Sequence, residues 1–191
     1  MKDKTSIILI IIVAIIGAYL IYNNFNNNKK DIKSNEVFNE EYSLVSDKNV
    51  FKYINIDEVL NKFNESGIIF IGFKENIWSN YYAKYLNETA MENDIKEILY
   101  YNIKKDRQSN NVKYKKLINL LETNLPINDE GNLYISVPYL IFIKDGKIIH
   151  TDNETAISYS NVNPTVYWNK DTIKNFKIKI SNYINDYKGG E

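Results

Sequence analysis

Apolar residues are distributed along this chain in three patterns. The first is one long uncharged block, Ile7 to Tyr22, which lacks proline as well as charge. The second is a set of short, nearly continuous apolar runs: Ile68 to Phe73, Ile98 to Ile103 and Tyr139 to Lys144. Runs of that length and continuity predict strands buried on both faces. The third is apolar residues at helical spacing. Val59, Leu60 and Phe63 follow a capping box formed by Asn55 and Glu58, and Ser66-Gly67 is the expected stop. Tyr82, Tyr85, Leu86 and Met91 mark a helix over about Trp78 to Asp94, and Leu117, Ile118, Leu120 and Leu121 mark another over about Val112 to Asn124. Ile173, Phe176, Ile180, Tyr183, Ile184 and Tyr187 form one stripe of a final helix, with Asp171 or Thr172 as the expected cap.

Between these elements, Phe51 to Ile54 predicts a short first strand, and Asp145-Gly146 a hairpin turn leading into a strand over Lys147 to His150. Residues 104–111, 126–132 and 151–170 are polar and read as loops. The predicted order is β-α-β-α-β-α-β-β-α. Parallel strands joined by helical crossovers and followed by an antiparallel hairpin give an α/β fold, a mixed sheet flanked by helices.

The uncharged block Ile7 to Tyr22 is read as a transmembrane anchor. Its 16 residues rise about 24 Å as a helix, somewhat short of a hydrocarbon core of about 30 Å. Tyr19 and Tyr22 fall near the far interface. No small-x-small cleavage site follows, which argues against a cleaved signal peptide. Lys2 and Lys4 favour a cytoplasmic N-terminus over residues 1–6 and an extracytoplasmic remainder. Residues 23–48, rich in Asn, Lys, Glu and Ser, read as a polar tether, and residues 49–188 as the folded domain.

Composition narrows the chemistry. The formal net charge is zero and Arg107 is the only arginine, so nothing favours nucleic acid. Zero cysteines exclude disulfides, thiolate nucleophiles and thiolate metal ligands. His150 is the only histidine, so no His cluster exists to hold a catalytic metal. It is expected to be an ordinary core or surface residue, and Glu75 a solvated charge. No cofactor is expected.

Three segments carry a resemblance. Ile71-Gly72-Phe73-Lys74-Glu75-Asn76-Ile77-Trp78-Ser79-Asn80 runs from a strand through a turn into a helix. Ser136-Val137-Pro138-Tyr139-Leu140 leads into the next strand, and Phe142-Ile143-Lys144-Asp145-Gly146-Lys147-Ile148 forms the hairpin. In this order and spacing, over about Phe51 to Tyr187, they resemble the thioredoxin-like superfamily. Within it they resemble the small membrane-anchored proteins of Gram-positive bacteria that include the bacteriocin transport accessory proteins. The resemblance puts Asn76-Ile77-Trp78-Ser79 where the family has Cys-x-x-Cys, with Asn76 at the attacking and Ser79 at the resolving position. It puts Phe70 where thioredoxin has a buried acid, and Pro138 where the superfamily has its cis-proline.

The resemblance implies a thioredoxin-like mixed sheet behind one N-terminal transmembrane helix. Thiol–disulfide exchange needs a thiolate, which an amide and a hydroxyl cannot replace, so the expectation is a domain without redox activity. Asn76 and Ser79 are both good helix caps, or alternatively a polar patch that bonds to peptide. Trp78 either packs against neighbouring loops or offers a flat apolar contact to a partner. The backbone around Val137, Pro138 and Tyr139 either pairs with an extended peptide, as in relatives, or simply opens a strand. The aromatic segment Asn163 to Trp168 either packs over the sheet or lines a partner surface. The expected role is binding of a peptide or membrane partner, in export or bacteriocin transport. The alternative is a scaffold component of a cell-envelope complex.

Overall fold

The computed structural model describes residues 12–22, 38–153, 155 and 162–189. The expected cytoplasmic N-terminus, the first five residues of the expected anchor and the tether over residues 23–37 lie outside the described residues, as does most of the loop over 154–161. Residues 12–22 are helical. Among the described residues, no helix is long and apolar enough to cross a membrane.

The fold is a five-stranded mixed sheet with helices on both faces. In chain order the elements are β1 (Phe51–Tyr53), α1 (Ile56–Lys62), β2 (Gly67–Gly72), α2 (Ile77–Glu92), β3 (Ile98–Asn102), α3 (Lys104–Ser109) and α4 (Val112–Leu121). A 3-10 turn (Glu122–Asn124), β4 (Tyr139–Lys144), β5 (Lys147–Asp152), α5 (Pro164–Tyr167) and α6 (Lys170–Lys188) follow. The strand order is β1-β3-β2-β4-β5. β3 runs parallel to β1 and β2, whereas β4 is antiparallel to β2 and β5. Asp145 and Gly146, both at positive φ (51° and 74°), close the β4–β5 hairpin, the conformation that a two-residue turn of this twist requires.

β2 is buried along its whole length, and its alternating side chains divide the core in two. Ile68 and Phe70 face a layer built from α2 and α6, with Tyr82, Leu86, Phe176 and Ile180. Ile69 and Ile71 face the other layer, where α1 and α4 supply Val59, Tyr114, Leu117 and Leu121. Asn55 caps α1 through both bonds of the expected box, its side chain accepting from the Glu58 amide and its own amide donating to the Glu58 carboxylate.

Five local expectations are corrected. Within the loop expected over 151–170, Pro164–Tyr167 are helical. Residues 104–109 form a helix rather than a loop. The chain after Trp168 is capped by Asn169, whose side chain accepts from the amides of Asp171 and Thr172; those residues lie inside the first turn rather than capping it. α1 ends at Lys62, and Gly67 opens β2 instead of stopping the helix. The last correction concerns the domain boundary. Residues 38–48 were expected in the tether, yet Phe38, Tyr42 and Val45 are buried in the α2–α6 layer. Phe38 stacks on Tyr42 (4.4 Å) and on Phe51 of β1 (4.1 Å). The Tyr42 hydroxyl donates to that of Tyr100 at 2.9 Å. The folded body therefore includes Phe38, Tyr42 and Val45, because three apolar side chains at helical spacing gain more from burial than the polar residues between them lose.

Two outcomes follow from this packing. Phe38→Ala is expected to destabilise the fold by about 3–5 kcal/mol in chemical denaturation, where a tether residue would show no change. Burial also raises the phenol pKa values of Tyr42, Tyr53, Tyr100 and Tyr101, and pushes that of Tyr139 up to about 12. An unfolded tyrosine ionises near pH 10. The stability these residues contribute is thus complete below about pH 10 and falls as pH rises toward the folded-state values. Alkaline unfolding should coincide with a cooperative rise in tyrosinate absorbance, whereas non-cooperative titration of a folded chain would contradict these buried phenols.

Candidate functional site

The site forms where β2 ends and β4 begins. Their ladder closes at the Ile71–Tyr139 pair. Beyond it, one chain leaves β2 through Phe73 toward the start of α2, and the other enters β4 through Ser136, Val137 and Pro138. Phe73, Asn76, Trp78, Arg107, Tyr134, Ser136 and Val137 together line an open pocket of about 300 Å³. The pocket thus joins two of the segments singled out in the sequence, the Asn76–Ser79 turn and the Val137–Pro138 approach. The Val137–Pro138 peptide bond is cis. Pro138 does not line the pocket, and Tyr139 is buried in the sheet with its hydroxyl donating to the Asn124 carbonyl at 3.3 Å.

Each member of the Asn76–Ser79 turn has a distinct position. Asn76 is the N-cap of α2, its side chain accepting from the Ser79 amide at 2.8 Å. This is the ordinary reason for asparagine at a helix start. Ile77 points outward and is 55% exposed. Trp78 is only 8% exposed, and its ring meets Tyr167 of α5 edge-on at 5.3 Å. The aromatic segment Asn163 to Trp168 therefore covers Trp78: Tyr167 contacts its indole, while Trp168 is buried between Tyr85 and Phe176. The apolar group that the turn presents to solvent is Ile77.

Ser79 does not cap the helix. Its side chain is fully buried and its Oγ has no hydrogen-bond partner among the described residues. A methyl added at Gly72 would lie 3.1 Å from this Oγ and equally close to the Tyr42 hydroxyl and the Phe70 ring. The space beneath the turn is thus packed with aromatic side chains. Phe70 lies in that wall, parallel to Tyr82 with ring centres 5.8 Å apart. Among the described residues no base is hydrogen-bonded to the Ser79 hydroxyl, the contact an activated serine needs.

Charges around the pocket are mostly committed. Lys104 bonds Glu75 at 2.5 Å and holds its carboxyl below the usual range. Asp106 accepts from the Tyr101 hydroxyl at 2.7 Å and from the Asn111 amide at 2.7 Å. Arg107 lies with its guanidinium over the Phe73 ring, 5.0 Å from the ring centre. No sequence pattern points to Arg107 at this position, because α3, which carries it, has no apolar periodicity. His150 is remote, on β5, bonded to Asp186 at 2.8 Å and stacked on Tyr183. Among the described residues, no group of three or more His, Asp or Glu side chains could hold a metal ion.

The cap and the buried hydroxyl make opposite predictions. Asn76→Ala should cost about 1 kcal/mol through loss of the cap. Ser79→Ala should leave stability unchanged or raise it, since it deletes a buried hydroxyl without a partner. Gly72→Ala should cost about 1–3 kcal/mol through overpacking. Thermal or chemical denaturation of the three variants checks the set, and a large loss at Ser79→Ala would show that its hydroxyl is bonded in solution.

A scan against protein-family models finds no match for this chain, and a search of curated proteins finds none either.

Proposed function

We propose that this chain is a membrane-anchored, extracytoplasmic protein with a thioredoxin-like domain that has no redox activity and binds an extended peptide or a membrane partner. The observation that carries the reading is the pocket shared by the Asn76–Trp78 turn and Val137 beside a cis-proline bond. Strand order β1-β3-β2-β4-β5, with β4 antiparallel to β2 and a helix starting directly after β2, supports the thioredoxin-like assignment. Asn76 and Ser79 are the N-cap and third helical residue of α2, the positions at which such a domain carries its two sulfurs. With no cysteine in the chain, exchange chemistry has no nucleophile and the pocket is left as a recognition surface.

An extended chain suits this surface. Ser136 and Val137 lie outside the β2–β4 ladder, whose register ends at Tyr139, so their backbone is placed at the sheet's end where a short strand can add. Export or bacteriocin accessory function is the pathway we favour. The membrane anchor draws support from residues 12–22: Ile12, Val13, Ile15, Ile16, Leu20 and Ile21 are 47–73% exposed among the described residues, all round a helix. Such a helix needs an apolar environment. It continues the uncharged run that begins at Ile7.

One observation favours a second reading. Trp78, the best hot-spot candidate in the sequence, is nearly all buried by Tyr167, as a scaffold domain in a cell-envelope complex would have it.

Replacing both positions, Asn76→Cys with Ser79→Cys, tests the assignment. A folded double variant should form a reducible disulfide and gain insulin-reducing activity absent from the parent chain. A folded variant whose thiols stay free would overturn the thioredoxin-like reading of the turn. Carbonate extraction of cell membranes tests the anchor, with retention in the pellet expected and release into the supernatant contradicting it.

A further inference from the structure

Arg107 is the sole arginine of the chain, and it lines the pocket without a carboxylate partner among the described residues. No acid lines this pocket, and the two acids next in the chain to its residues are bonded elsewhere: Glu75 to Lys104, and Asp106 to Tyr101 and Asn111. The Phe73 ring beneath the guanidinium holds it by a cation–π contact at 5.0 Å. A guanidinium that rests on a ring still has N–H donors for a bidentate acceptor. A second source of positive potential meets it in the same pocket. The 16-residue helix α2 starts there, and its first turn carries no acidic residue. Tyr134, Ser136 and Asn76 add polar groups, and Phe73, Trp78 and Val137 add apolar walls. A half-buried cation and a helix N-terminus meet at one pocket whose lining holds no acid, a charge that an anionic ligand group would complement.

Resting on the peptide-binding reading above, we infer that the pocket recognises an extended peptide through a carboxylate group, which Arg107 clamps while the chain lies along Ser136 and Val137. The carboxylate is either a C-terminus or an Asp or Glu side chain. The two sources share the same chemistry and are separated by experiment.

Because only one arginine exists, its side-chain Nε–H gives a single nitrogen–proton resonance. We would follow it in the full chain in detergent micelles, together with the amides of Ser136 and Val137. Three pools of short N-acetylated peptides serve as probes: uncharged residues with a free C-terminal carboxylate, the same pool C-terminally amidated, and an amidated pool with a central Glu. The expected result is a saturable shift of the Arg107 signal with one or both acidic pools and none with the neutral pool; which acidic pool acts identifies the source of the carboxylate. Arg107→Gln should weaken binding of the active pool about tenfold or more, and Arg107→Lys should recover only part of it. If the neutral pool moves the Ser136 and Val137 amides as strongly as the acidic pools while the Arg107 signal stays fixed, peptide binding stands and the carboxylate clamp is wrong. If no pool moves any of these signals, both readings fall.

Discussion

The pairing of β2 with β4 is the constraint on which the rest of the structure depends. β2 is central and buried on both faces, so its register is fixed by the cores it feeds on either side. Antiparallel pairing that ends at Ile71 and Tyr139 brings the exit of one strand beside the entry of the other. The pocket is the direct consequence. Phe73 and Asn76 arrive from β2, Ser136 and Val137 from the chain leading into β4. A slip of one residue would exchange Ile69 and Ile71 for Ile68 and Phe70 between the layers, and would turn Val137 away from the turn.

The aromatic layer behind β2 accounts for much of what the site lacks. Phe38, Tyr42, Phe51, Phe70, Tyr82 and Tyr100 pack as one cluster in which each ring contacts others. It extends through Phe176 and Trp168 to Tyr167, which covers Trp78. The space under the Asn76–Ser79 turn is thereby filled with rings and with the Tyr42–Tyr100 hydroxyl pair. Aromatic packing of this kind fixes the position of the turn. The polar groups of the pocket lie on Asn76, Tyr134, Ser136 and Arg107.

The sheet and its main crossovers were legible in the sequence because strands buried on both faces read as continuous apolar runs, and because Asn55–Glu58 and Asp145-Gly146 are local signals that act within a few residues. Three features were less visible. Phe38, Tyr42 and Val45 do have helical spacing, but their polar surroundings masked it and composition suggested a tether. α3 carries no apolar stripe; Ile103 before it is buried, Asn110 after it adopts the left-handed conformation, and Arg107 leans on Phe73. The Arg107–Phe73 contact is long-range, so no window of sequence contains it; the left-handed Asn110 is a local stop signal. Of the turn residues, Asn76 has the capping role its chemistry suggests. The placement of Ser79 and Trp78 instead depended on Gly72, Tyr42 and Tyr167, which come from three other parts of the chain.

Cross-strand backbone nuclear Overhauser contacts between β2 and β4 in the full chain test the central claim most directly. The account predicts contacts in the register that opposes Ile71 to Tyr139 and Ile69 to Ile141, which sets Val137 beside the Asn76–Trp78 turn. Contacts in a register shifted by one residue, or β4 paired with a strand other than β2, would separate the two halves of the pocket and contradict it.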